Sequence, residues 1–158
     1  MLNEFSAKKL GEVLAFAQVS NETLQKGRAG FGMILSEEEM ALWSERNNQH
    51  ERSIMVMAEE YGVASVTEAK AAATADKLRA MRDMYVKDQW DNAAELSEWS
   101  GFFEGAAIVH WALVEGIGEG TLHDKISSLA NEAKTYHEEM LKKFEVFLKN
   151  IGIAKVSN

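Results

Sequence analysis

The chain has no cysteine and no proline. Without thiols there can be no disulfide, no thiolate metal site and no cysteine nucleophile. Without proline, long helices can run unkinked. No apolar run approaches the roughly 20 residues needed to cross a bilayer. The first residues, Met-Leu-Asn-Glu-Phe-Ser, lack the basic-then-apolar plan of a secretion signal, so the expected location is cytoplasmic. Basic residues are also short: 17 Lys and Arg against 25 Asp and Glu leave a net charge of −8. Nucleic acid and anionic membrane are therefore not expected partners, because phosphate binding needs clustered Lys and Arg. A serine-hydrolase elbow, Gly-x-Ser-x-Gly, is missing. Gly116, Gly118 and Gly120 follow a helical pattern rather than a strand and have no lysine at the phosphate-loop place, which excludes that nucleotide-binding motif.

What is present is an ordinary globular balance, 46% hydrophobic and 27% charged over 158 residues, enough for one domain with a core, 1–158. The apolar residues recur at helical spacing. A first helix is expected over about 4–26, with Leu10, Val13, Leu14, Ala17, Ser20, Asn21 and Leu24 on one stripe. Gly27, Gly30 and Gly32 mark a turn. A second helix, about 36–61, opens on Ser36 and Glu39 at capping-box spacing and carries Met40, Trp43, Asn47, His50, Ile54, Met57 and Tyr61 inward. Residues 63 to about 90 form an alanine-rich helical crossover with a thin apolar stripe. A third bundle helix, about 92–115, places Leu96, Trp99, Phe103, Ala106, His110, Leu113 and Ile117 inward. The glycines at 116, 118 and 120 form a second turn. The fourth helix, about 121–150, carries Ile126, Leu129, Ala133, His137, Met140, Phe144 and Phe147.

The two hairpins look like an internal repeat. Glu45, four residues, His50, Glu51 in the second helix is matched by Glu132, four residues, His137, Glu138 in the fourth. Only the histidines fall on the apolar stripes; Glu51 and Glu138 project about 100° away.

Hairpin, crossover, hairpin with inward histidines on the second and fourth helices resembles the ferritin-like superfamily, including rubrerythrins and bacterioferritins. The resemblance implies an all-α, ferritin-like four-helix bundle. It also implies a metal site built from one Glu on each of helices one and three and Glu-x-x-His on each of helices two and four. His50 and His137 match that pattern. The glutamate places before them hold Asn47 and Lys134, which depart from it.

Reflecting residues across each turn, with centres near 32 and 119, brings Gln18 to Asn47 and Glu104 to Lys134. An amide pair and an ion pair would satisfy these groups without metal. A lysine beside the site disfavours a dinuclear centre. A mononuclear site of His50, His137, Glu104 and His110 remains, and its imidazole and carboxylate donors suit Fe, Mn or Zn. Two function classes stay open. One is a ferritin-like metal-binding protein with iron/O2 or peroxide-linked oxidoreductase activity. The other is a non-enzymatic helical scaffold that has lost the metal and acts through homodimerisation or partner binding, with its eight methionines as adaptable contact surface.

Overall fold

The computed structural model describes residues 2–157, which form six helices and no strand. They are α1 (Glu4–Lys26), α2 (Arg28–Phe31), α3 (Glu37–Glu60), α4 (Ala64–Val86), α5 (Ala93–Thr121) and α6 (Asp124–Val156). Local chemistry sets several of the starts. The Asn3 side chain accepts from the Ser6 N–H at 2.9 Å, satisfying an otherwise orphaned donor of α1. Ser36 and Glu39 close a reciprocal capping box at α3, with bonds of 2.9 and 3.1 Å. Asn92 caps α5 by accepting from the Ala94 and Glu95 N–H groups. The first glycine-rich stretch, expected as a plain turn, contains the single turn of α2.

α5 and α6 form the most extensive helix pair, followed by α1 with α4; α1 also packs on α3 and α5, whereas α3 and α6 meet only sparsely. α1 is thus enclosed on nearly every side. α4 packs along α1 through Thr67, Ala71, Ala75 and Leu78, all buried. Close approach there needs Gly11: a Cβ at that position would stand 2.8 Å from the Lys70 Cβ and also run into the Thr67 carbonyl oxygen.

The second hairpin corrects two expectations. Gly116, Gly118 and Gly120 lie inside α5, which continues to Thr121, and the chain reverses at Leu122 and His123 instead. Gly118 serves packing, since a Cβ there would come within 2.6 Å of the Ser127 backbone N on α6. α6 in turn runs on to Val156.

The buried face of α5 also departs from the expected stripe. It is Leu96, Ser97, Trp99, Ser100, Phe103, Glu104, Ala107, Trp111, Val114 and Gly118. Leu96, Ala107 and Gly118 are 11 residues apart, a period of about 3.67 residues per turn, while the expected stripe advanced at about 3.5. The mismatch accumulates to one residue beyond Phe103. Trp111 and Val114 therefore occupy the places expected for His110 and Leu113, and Leu113 is 40% exposed.

Candidate functional site

The polar centre of the protein lies where α3, α5 and α6 converge. α3 contributes Asn47 and His50, one turn apart; α5 contributes Glu104; α6 contributes Tyr136 and His137. Asn47 and Glu104 are 0% exposed, and His50 and His137 are 1% exposed. His137 Nδ1 hydrogen-bonds the Glu104 carboxylate at Oε2. An ionised carboxylate can only accept, so Nδ1 donates, and in the neutral ring Nε2 then carries the lone pair.

His50 faces this pair. Its ring centroid is 6.0 Å from that of His137, 5.5 Å from Trp111 and 5.7 Å from Tyr136, the last two edge-on. Burial, reinforced by the positive charges His137 and Arg46 would present, pushes the His50 pKa down from 6.5 to about 3, so this imidazole is neutral near pH 7. Burial, and secondarily the Glu104 charge, pushes the Tyr136 phenol well above its ordinary range. The Tyr136 hydroxyl donates to the Trp43 carbonyl at 3.5 Å. On its other side Tyr136 lines a groove of about 360 Å³ along the sparse α3–α6 seam, bordered by Trp43, Arg46 and Met140. Tyr136 therefore separates the histidine pair from solvent.

Four buried side-chain atoms here lack a hydrogen-bond partner: Asn47 Oδ1, His50 Nε2, Glu104 Oε1 and Trp111 Nε1. Each unsatisfied group costs about 1–3 kcal/mol when sealed from water. Their gathering on facing helices points to a small polar occupant, because a core selected for packing alone would not keep them.

The expected pairings across the hairpins are replaced by others. Asn47 Nδ2 donates to Ser20 Oγ at 2.9 Å and to Asn21 Oδ1 at 3.2 Å, not to Gln18. Ser20 also accepts from Trp43 Nε1 at 3.0 Å. Gln18 instead lines a cleft beside Glu51 and Arg79. Lys134 pairs with Glu115, not Glu104. The cause is the late reversal at Leu122 and His123: a turn centre moved by about three residues moves each cross-hairpin partner by about six, to the level of Trp111 and Glu115.

His110 stands apart from the other three expected ligands. Its Nδ1 donates to the Ala106 carbonyl at 2.7 Å, its Nε2 lies 3.7 Å from Glu12 Oε2, and its ring packs on Phe16. The structure thus brings His50, His137 and Glu104 together and puts His110 on another face of α5. Ser20, Trp111 and Tyr136 join the centre without having been expected there. The 11-residue period of α5 is the signal that could have found Trp111; Tyr136 is marked only by adjacency to His137.

Three side chains could hold a metal ion: His50 through Nε2 and Glu104 through Oε1, both atoms buried and unpartnered, and His137 through Nδ1, where an ion would take the place of the proton shared with Glu104; His137 Nε2 points away from the carboxylate and cannot share an ion with it. Two imidazoles and one carboxylate match the donor preference of Fe, Mn or Zn. A dinuclear centre does not fit, because Glu104 is the one buried carboxylate gathered here; Lys134, expected to stand against such a centre, pairs with Glu115 instead. Among the described residues no three His, Asp or Glu side chains are already drawn together at metal-ligating spacing. Closure of His50 toward the His137–Glu104 pair is what ligation would require.

No protein-family model, curated protein or solved structure matches the chain.

Proposed function

We propose that the chain is a ferritin-like four-helix bundle, with α1, α3, α5 and α6 as its helices and α4 as the crossover, and that its centre binds one divalent transition-metal ion through His50, His137 and Glu104. The observation that carries this reading is the pair of sealed, unpartnered donors, His50 Nε2 and Glu104 Oε1, beside His137. A bound Fe or Mn ion would supply one-electron chemistry with O2 or peroxide. The chain's own contribution is to hold His50 neutral by burial, to keep His137 and the Glu104 carboxylate in contact facing it, and to exclude bulk water with Tyr136 and Trp111. Elemental analysis of protein purified without a histidine tag tests it. One Fe, Mn or Zn per chain, absent from the His50→Ala and His137→Ala variants, supports the reading. No metal in the purified protein and none after titration overturns it.

A second reading has its own support. Glu104 already has a partner in His137, and the exposed apolar side chains Phe102 and Val109 of α5 and Met81 and Met84 of α4, 64%, 62%, 47% and 73% exposed, offer a contact surface. In that reading the protein is a metal-free helical scaffold acting through homodimerisation or partner binding. It requires metal content to be zero and self-association or partner capture to be lost in Phe102→Glu.

A further inference from the structure

On the His110 side of α5, the grooves between α1, α4 and α5 open into a cleft of about 420 Å³. That volume lies within the range of small-molecule sites. Its floor is apolar. Phe16 and Leu78 are buried beneath it, and Met81, 47% exposed, and Ala106 form its far side.

The polar wall comes from one face of α4. Lys70, Thr74 and Lys77 follow one another at four- and three-residue spacing and all line the cleft. At its inner end Glu12 is already neutralised: Lys9 Nζ reaches both carboxylate oxygens at 3.0 Å, and Lys70 Nζ lies 3.4 Å away. His110 closes that end with Nε2 3.7 Å from Glu12 Oε2. Lys77 takes part in none of the ion pairs found among the described residues, although it borders the same cleft. Two lining ammonium groups, Lys70 and Lys77, against the one carboxylate of Glu12, itself paired with Lys9, make this a locally positive cleft on a chain of net charge −8. An apolar floor with one uncommitted ammonium and a hydroxyl at the rim recognises an apolar body ending in a single negative charge. One uncommitted ammonium balances one negative charge, so a monoanionic head suits it.

We propose that the cleft between α1, α4 and α5 binds a small amphipathic carboxylate, its hydrocarbon body on Phe16, Leu78, Met81 and Ala106 and its carboxylate at Lys77 and Thr74. The site is independent of the central histidines, so neither proposal falls with the other. The test is a titration with decanoate, followed through the backbone amide resonances of the full chain, with decanol as the uncharged probe of the same length. Saturable shifts are expected at Thr74, Lys77, Met81 and His110. Decanol should bind about tenfold more weakly, and Lys77→Glu should weaken decanoate by a similar factor. The exposed α6 variant Lys149→Glu should leave the affinity unchanged. Shifts confined to other residues, equal binding of decanol and decanoate, or equal effects of the two lysine variants would each overturn the proposal.

Discussion

His137 donates from Nδ1 to Glu104, and both side chains lie wholly inside the protein, on adjacent antiparallel helices. The bond fixes the ring orientation and ties α6 to α5 at the level where His50 approaches from α3. Replacing Glu104 by leucine leaves the His137 N–H without an acceptor in a sealed site. Glu104→Leu should destabilise the protein by about 1–3 kcal/mol, and Glu104→Gln, which keeps an acceptor, by less. Urea denaturation of the metal-free variants measures both.

Acid should weaken the fold partly through His50. In the unfolded chain its pKa is near 6.5, and in the folded protein burial lowers it to about 3. Below 6.5 the unfolded state takes up a proton that the folded state refuses. The contribution is complete above 6.5 and is lost as pH falls toward 3, by up to about 1.4 kcal/mol per pH unit. Other groups titrate over the same window, so the informative quantity is a difference. Between pH 7 and about 5, metal-free His50→Leu protein should lose less stability than the unaltered chain; equal losses would show that His50 is not held neutral.

The register of α5 predicts opposite sensitivities for two neighbours. Trp111 is 1% exposed and packs edge-on against His50, whereas His110 is half-buried beside Phe16 and Glu12. Trp111→Ala should cost about 3–5 kcal/mol, His110→Ala only a fraction of that. Thermal or chemical denaturation of the two variants distinguishes this register from one in which His110 faces the core.

Much of the helical layout was legible in the sequence, and the residues show why. On α3 the capping box at Ser36 and Glu39 and the run Met40, Trp43, Asn47, His50, Ile54 and Met57 mark start and buried face without ambiguity. The buried face of α3 itself keeps the 3.5-residue spacing from Met40 to Met57, so the reading does not drift there. On α5 the same reading failed beyond Phe103, because apolar residues crowd both the inner face and the outer one, where Phe102 and Val109 are exposed. Periodicity cannot choose between two apolar stripes. The glycines of α5 misled for a related reason: at Gly118 the missing side chain admits α6, a packing role that looks in sequence like a turn. The late reversal then shifted each cross-hairpin partner, which is why Glu104 was matched to Lys134 and not to His137. The pairing of Asn47 with Ser20 and Asn21 depends on side-chain reach across helices, which spacing alone does not encode.

Two glycines of α5 should therefore respond in opposite directions to the same change. A Cβ at Gly116 meets nothing within 4 Å, so Gly116→Ala should stabilise by about 0.5–1 kcal/mol through helix propensity alone. At Gly118 the Cβ runs into Ser127, so α5 and α6 must separate, and Gly118→Ala should destabilise by about 1–3 kcal/mol. A shared sign would contradict the close α5–α6 contact.

The most direct measurement is a titration of tag-free, metal-stripped protein with Co2+, read by its visible absorption. A mononuclear site of two imidazoles and one carboxylate predicts saturation at one ion per chain, and loss of the signal in His50→Ala, His137→Ala and Glu104→Ala while His110→Ala binds as before. Saturation at two ions per chain, no binding at all, or loss of binding in His110→Ala would contradict it.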